Sequence, residues 1–66
     1  MDPRLVLPIV MGDAEKIGKD IQIQVHPNGD GSWVVVGSID SWPVVGYVNI
    51  AEGGFDHGLW FANAIH

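Results

Sequence analysis

The feature that most constrains the fold is a change of pattern within residues 21–36, where two strand-like segments arrange their apolar residues differently. Residues 21–26 alternate aliphatic with polar side chains, which is the two-residue period of a strand with one face in water. Residues 33–36 are apolar without a break. Between them, Pro27 and the sequence Asn-Gly-Asp-Gly favour a tight loop. The stretch therefore predicts a β-hairpin whose second arm carries apolar side chains on both faces.

The loop length sets the pairing of the two arms. With a loop of about five residues, His26 pairs with Ser32, and Val25 then lies opposite Trp33. This register gives the hairpin one continuous apolar face, built from every second residue of both arms. The opposite face receives the polar residues of the first arm together with apolar residues of the second.

Residues 40–41 predict the next turn, and residues 42–50 predict a third strand that returns beside the second. With a two-residue turn, two further apolar residues join the outward face. The pairs on that face are then Val36 with Val45 and Val34 with Tyr47. A three-residue turn exchanges the two faces of the third strand, but either register leaves apolar side chains on both sides of the second strand. The sheet therefore needs a cover on each face.

The segment before the hairpin predicts an edge strand and a loop. Residues 4–11 have an extended apolar pattern, and Pro8 cannot donate a hydrogen bond to a sheet, so this strand is expected at an edge. Residues 12–18 predict a loop, with at most about one helical turn after Asp13 because Gly18 follows so soon.

The segment after the third strand predicts a loop and a last strand. Residues 51–58 contain paired glycines and are expected to form a loop. Residues 59–66 alternate in a way that favours a strand, with a short C-terminal helix capped by Asp56 as the alternative.

These elements define an all-β fold in a single domain over residues 1–66. We expect a small antiparallel meander of four to five strands, either closed as an SH3-like barrel or left as a curved sheet completed by a partner chain. A chain this short buries only about 60% of the surface that its unfolded form exposes, so small folds usually need an additional staple. The sequence contains no cysteine, which removes disulfides and thiolate zinc sites and leaves association and a His/carboxylate metal site as the candidate staples.

The charge balance limits the class of partner. Eight acidic residues against three basic ones give a formal net charge of −5, whereas phosphate-binding surfaces collect Lys and Arg, so we expect no nucleic acid partner. The apolar residues 5–11 are interrupted by proline and lack the small residues of a signal-peptide cleavage site. No stretch approaches the ~20 apolar residues of a membrane span, so we expect a soluble, cytoplasmic protein without a membrane partner.

Catalytic, metal and cofactor signatures are weak throughout the sequence. The turn-like Asn28–Gly31 run resembles a fragment of a calcium loop, but the bidentate glutamate that such a loop requires is missing downstream. His26, His57 and His66 lack the spacing that places two metal ligands on one element. We therefore predict no enzyme activity, no catalytic residue, no metal site and no cofactor. Asp56 beside His57 is the best candidate for a reactive pair.

The apolar residues expected outside the core predict a protein interface. Trp33 is expected in the core, whereas Trp42 beside a turn and Trp60 opposite in parity to Leu59 are expected to be exposed. The predicted interface residues are Val34, Val36, Trp42, Val45, Tyr47 and Trp60.

Two function classes follow from this reading. The first is a non-enzymatic protein-interaction or assembly module, either a homo-oligomer or a small accessory or inhibitory subunit that docks on a larger protein, of the kind that a virus or mobile element encodes. The alternative is a β module that binds a carbohydrate or a metal through loop 52–58, with Asp56, His57 and Trp42 as the binding residues.

Overall fold

The computed structural model of the chain describes residues 3–62 and contains one α-helix followed by four β-strands. The elements are α1 (Pro3–Glu15), β1 (Ile21–Pro27), β2 (Trp33–Ile39), β3 (Trp42–Ala51) and β4 (Gly54–Phe61). The strands form one antiparallel sheet in the order β1-β2-β3-β4. The predicted antiparallel meander is confirmed. Its SH3-like barrel form is wrong, because β1 and β4 remain opposite edges of an open sheet.

The first element is a helix, so the predicted edge strand over residues 4–11 is wrong. Val6, Val10 and Ala14 recur every four residues and form a fully or almost fully buried stripe. Pro8 removes one N–H donor from the helix interior, which costs about 3 kcal/mol, and its side chain lies on the exposed side. Burial of the stripe against the sheet outweighs this local penalty, and that contact is invisible in a short sequence window.

The β1–β2 hairpin forms as predicted, but its register is shifted by two residues. Pro27 pairs with Trp33 and Val25 pairs with Val35, so the loop comprises the five residues 28–32. A shift of two residues keeps every side chain on its predicted face, because the strand period is also two. The alternation is visible in β2, where Trp33 and Val35 are buried while Val34 and Val36 are exposed.

The β2–β3 turn has the predicted length of two residues. Asp40 and Ser41 both have positive φ angles, of 52° and 71°, as a type I′ hairpin turn requires. The turn is tied to the loop between α1 and β1: the Asp40 carboxylate accepts backbone N–H bonds from Lys19 at 3.2 Å and Asp20 at 2.9 Å. The Asp40 backbone N–H donates in turn to the carbonyl oxygen of Asp20 at 2.8 Å.

The segment predicted as a loop over residues 51–58 is mostly strand. Ala51 pairs with Gly54, which leaves only Glu52 and Gly53 as a turn, and Gly53 has a φ angle of 87°. The predicted C-terminal strand is confirmed over residues 59–61, and Asp56 lies within β4 rather than at a helix start. The rest of that prediction, residues 63–66, lies outside the described part of the chain.

The core lies between α1 and one face of the sheet, which makes the molecule a two-layer structure. Its buried apolar residues are Val6, Val10, Ala14, Trp33, Val35, Ile39, Val44 and Val48. Trp33 is 8% exposed, which confirms its predicted place in the core. The helix thus supplies one of the two covers that the sequence requires. Within residues 3–62, no element covers the other face of the sheet.

Candidate interaction surface

The sheet face opposite α1, called the open face below, presents an apolar cluster in its centre. The cluster comprises five residues from three adjacent strands: Val34, Val36, Val45, Tyr47 and Trp60. Val34 and Val36 are 38% and 37% exposed, and Trp60 is 39% exposed. Val45 and Tyr47 are half-buried by these neighbours. We refer to these five residues as the open-face cluster.

Strand register, rather than loop conformation, holds the open-face cluster together. Val36 pairs with Val45, and Val45 pairs with Trp60, so these three residues form a row across the sheet. Val34 pairs with Tyr47 in the adjacent row. Directly paired side chains in antiparallel strands lie about 4.5–5.5 Å apart at Cβ, close enough to form a continuous surface. The cluster is therefore a preformed patch on a regular scaffold.

The two aromatic rings of the cluster contact each other. The ring centroids of Tyr47 and Trp60 are 5.9 Å apart, with an angle of 64° between the ring planes, which is an edge-to-face arrangement. Gly58 pairs with Tyr47 and has no side chain, so the Trp60 ring lies over its backbone. A Cβ atom at Gly58 would be 3.2 Å from Trp60 Cζ3 and 3.4 Å from Tyr47 Cε1. A side chain at residue 58 would therefore contact both rings, and the Trp60 ring would have to shift by a few tenths of an ångström.

A polar pair borders the cluster on β3 and β4. The Tyr47 hydroxyl donates a hydrogen bond to Asp56 Oδ1 at 3.3 Å. The negative charge of Asp56 raises the pKa of Tyr47 above its ordinary value, with smaller contributions from desolvation and from the hydrogen bond itself. The phenol is therefore held in its neutral form, able to donate a hydrogen bond at the edge of the apolar patch.

The remaining open-face residues are almost all uncharged. The edge strand β1 contributes three of them, Gln22, Gln24 and His26. Two more lie on the central strands, Ser38 on β2 and Asn49 on β3. Among residues 3–62, Asp56 is the one acidic residue on this face. The other described acids lie in α1, in loops or in turns: Asp13, Glu15, Asp20, Asp30, Asp40 and Glu52. Among the described strands, the open face thus carries a single acidic side chain.

The structure places five of the six predicted interface residues together in the open-face cluster. Trp42 is the exception: it pairs with the buried Ile39 and shares the helix side of the sheet, where it is 59% exposed at the start of β3. Sequence parity already assigns Trp42 to that side. Trp42 is therefore an exposed ring on the helix side and does not belong to the open face.

The residues of the predicted ligand site are not brought together. Asp56 and His57 are neighbours on β4, so their side chains point to opposite faces of the sheet. Trp42 begins β3, whereas His57 pairs with Val48, six residues further along that strand and about 20 Å away at ~3.3 Å per residue. The glycine-rich segment that was expected to hold the ligand is a two-residue turn and part of a strand.

His57 instead makes a contact that the sequence does not indicate. Its Nδ1 atom lies 2.6 Å from Oδ2 of Asp13, near the end of α1. The pair links the helix to the edge strand β4, and both side chains are partly exposed. No local pattern connects positions this far apart in sequence. Across residues 3–62, no three His, Cys, Asp or Glu side chains form a group able to hold a metal ion.

The Asn28–Gly31 run forms a turn closed by its own hydrogen bonds. The Asp30 carboxylate accepts bonds from the backbone N–H of Ser32 at 2.9 Å and from the Ser32 hydroxyl. These bonds lower the pKa of Asp30, with the hydroxyl bond as the largest cause. Asn28 donates its backbone N–H to the Ser32 carbonyl oxygen at 3.0 Å. The Asp30 carboxylate therefore stabilises the turn through its hydrogen bonds to Ser32.

Two depressions on the described surface are wide and shallow. One lies at the end of the sheet, where Asp30, Asn49 and Asp56 contribute polar atoms. The other lies on the open face over Gly37, between Gln24 and Val36. Both are open to solvent along most of their extent, unlike the concave sites that bury most of a small ligand. The surface therefore offers a broad face rather than an enclosed pocket.

Comparisons with known proteins do not identify a relative. No protein-family model, curated protein or solved structure matches the chain. No helix within residues 3–62 combines the length and apolar character needed to cross a bilayer.

Proposed function

We propose that the chain is a non-enzymatic protein-interaction module that binds another protein surface through the open face of its sheet. The observation that carries this proposal is the open-face cluster, an apolar patch on three paired strands that no described element covers. Contiguous apolar patches bordered by polar residues are typical of interaction sites on small proteins. The module acts in the cytoplasm in this proposal, and a cysteine-free chain is compatible with that reducing compartment.

The composition of the open face resembles that of a binding surface. Its centre contains Tyr47 and Trp60, residue types that are enriched among interface hot spots because they bury large area with few rotatable bonds. Its border is polar, with Gln22 and Gln24 on one side and Asp56 on the other. An apolar centre with a polar rim is the usual anatomy of a specific interface.

The ligand-binding alternative has less support. Its three residues, Asp56, His57 and Trp42, lie on different faces or at different ends of the sheet. A carbohydrate site needs convergent polar groups beside an aromatic platform, and a metal site needs convergent ligands. The exposed Trp42 lacks such neighbours among the residues that we predicted for this role.

Site-specific photo-crosslinking in cells tests the proposal. A photo-reactive residue in place of Val36 lies in the open-face cluster, and the same residue in place of Ile50 provides the matched control. Ile50 is 62% exposed but has the parity of the helix side. We expect a protein adduct from position 36 and little from position 50. Equal labelling at both positions, or no protein adduct at position 36, would contradict the proposal.

A further inference from the structure

We propose that the partner of the open face is a second copy of this chain, so that two sheets pack face to face with a helix on each outer side. This inference rests on the proposed function, because it names the partner of the same surface. The result would be a four-layer dimer in which both faces of every sheet are covered. Packed sheets lie about 10 Å apart, a distance that valine and aromatic side chains fill.

The charge distribution supports a second copy as the partner. In a two-fold interface, each residue meets the surface of an identical chain, so any net charge on the face would meet the same sign. Each chain carries a formal charge of −5, yet Asp56 is the one acidic residue that the described strands place on the open face, with Asp30 near it in the loop at the end of the sheet. Asp56 lies at the border and accepts the Tyr47 hydroxyl. The face thus avoids the repulsion that the rest of this acidic surface would produce.

The polar groups of the open face are also suited to self-recognition. Gln22, Gln24, Ser38 and Asn49 each carry a hydrogen-bond donor and an acceptor. Such groups pair with their own kind, whereas carboxylates or lysines would need the opposite charge from a different partner. Apart from His26 and from Asp56, whose carboxylate accepts the Tyr47 hydroxyl, the rim consists of amides and a hydroxyl, and these groups fit an interface between identical surfaces better than an interface with a charged protein.

The area of the face is sufficient for a weak, specific dimer. Strands lie about 4.8 Å apart and rise about 3.3 Å per residue, so a sheet of four seven-residue strands covers roughly 450 Å² in flat projection. The corrugated side chains add to this footprint, and a face-to-face pair would bury on the order of 1,000 Å² in total, the level at which specific interfaces begin. We therefore expect association that is reversible with concentration.

Sedimentation equilibrium of the purified full chain tests this inference. We expect the apparent mass to rise from 7.1 kDa towards twice that value as the protein is concentrated from the low micromolar to the millimolar range. Val36→Glu should weaken association by roughly tenfold or more, because each dimer would then bury two unpaired carboxylates. Ile50→Glu adds the same charge off the face and should associate nearly as the parent does at moderate ionic strength.

Two results of the sedimentation experiment would overturn the inference. One is a monomer at every concentration, and the other is a natively folded Val36→Glu variant that associates as strongly as Ile50→Glu. A second measurement does not depend on the folding of that variant. In Trp42→Phe, emission changes report Trp60, because Trp33 stays buried. The emission should shift to the blue as the mass doubles, and a doubling of mass without this shift would also exclude the open face.

The two proposals fail in different ways. A crosslink from position 36 to a protein of another mass, together with a monomeric purified chain, would exclude the second copy and retain the interaction module. A monomer without any adduct at position 36 would exclude both. A dimer whose crosslink joins position 36 of one copy to the other copy would support both.

Discussion

At the scale of single residues, Gly37 allows the backbones of β1 and β2 to approach closely. Gly37 pairs with Ile23, and a Cβ atom at this position would overlap the carbonyl oxygen of Gln22 and lie 2.7 Å from Cα of Ile23. These atoms belong to the backbone and cannot rotate away. The close pairing of β1 with β2 therefore depends on the absence of a side chain at residue 37.

Gly37→Ala should destabilise the fold by about 1–3 kcal/mol, because the β1–β2 ladder must open to admit the methyl group. The matched control is Gly12→Ala in α1, where a Cβ atom would meet nothing within 4 Å. This second change should stabilise the protein by about 0.5–1 kcal/mol through the higher helix propensity of alanine. Urea denaturation at one fixed protein concentration measures both, and equal effects of the two changes would contradict the close approach.

The pKa of Tyr47 reports the polar border of the open face. The charge of Asp56 raises this pKa above the ordinary value of 10.0. A raised pKa in the folded state means that the neutral phenol is favoured by folding, so this contribution to stability is present below the ordinary pKa. It is lost as the pH rises through the folded-state pKa. The chain contains one tyrosine, so tyrosinate absorbance follows Tyr47 alone.

Asp56→Asn should lower the Tyr47 pKa towards its ordinary value, because the substitution removes the charge and keeps a hydrogen-bond acceptor. Asp30→Asn is the control, since Asp30 bonds to Ser32 rather than to Tyr47. A pH titration of absorbance at low protein concentration gives the result. An unchanged Tyr47 pKa in Asp56→Asn would show that the two side chains are not in contact.

At the scale of elements, the β2–β3 turn does more than reverse the chain. The Asp40 carboxylate accepts two backbone N–H bonds from the loop after α1, and the backbone N–H of Asp40 bonds to the Asp20 carbonyl oxygen. Gly18 lets this loop approach, because a Cβ atom there would overlap the Asp40 side chain and lie 2.6 Å from Ile39 Cγ2. The turn thereby fastens the helix-to-strand connection to the sheet.

Asp40→Ala should cost about 1–3 kcal/mol of unfolding free energy, since it removes a charged acceptor of two hydrogen bonds from a residue at positive φ. Ser41→Gly in the same turn provides the opposite control. Its φ of 71° suits glycine, so that change should be neutral or stabilising. Thermal and urea unfolding compare the variants. A negligible effect of Asp40→Ala would mean that the loop is held by packing alone.

Some elements of this fold can be predicted from the sequence because local patterns determine them, whereas others depend on tertiary contacts. The first two hairpins are predictable because turn residues and two-residue periodicity are local, and strand parity places the four valine and tyrosine residues of the open-face cluster on one face. The β3–β4 hairpin, which brings Trp60 beside them, lies where the sequence predicts a loop. The helix was missed because Pro8 and Gly12 weaken its local signal, while the compensating burial of Val6 and Val10 is a tertiary effect. The contact between His57 and Asp13 depends on that helix and was missed with it.

For the whole molecule, the proposed interaction follows from a core that lies on only one face of the sheet. The buried set consists of small aliphatic residues apart from Trp33, and it lies entirely between α1 and one sheet face. A chain of this size has little apolar area to offset its conformational entropy, so a second apolar face left in water is an unused source of stability. Covering that face by association would link stability to protein concentration.

Because the whole chain is acidic, the effect of salt on association distinguishes a second copy of the chain from a basic partner protein. Two chains of formal charge −5 repel each other, although the open face itself is nearly uncharged. Salt screens such repulsion, with a Debye length of about 10 Å at 0.1 M. Raising the sodium chloride concentration should therefore strengthen the dimer. Binding to a basic protein would instead weaken with added salt, because salt would screen the attraction between opposite charges.

Sedimentation equilibrium in low and high sodium chloride measures this effect, and chloride avoids the general strengthening of apolar burial that sulfate produces. Ile50→Glu sharpens the test, because it adds one negative charge per chain away from the open face. Its association should respond to salt more steeply than that of the parent. If association instead weakens as salt rises, attractive ion pairs must hold the copies together, and the nearly uncharged centre of the open face cannot be the surface that joins them.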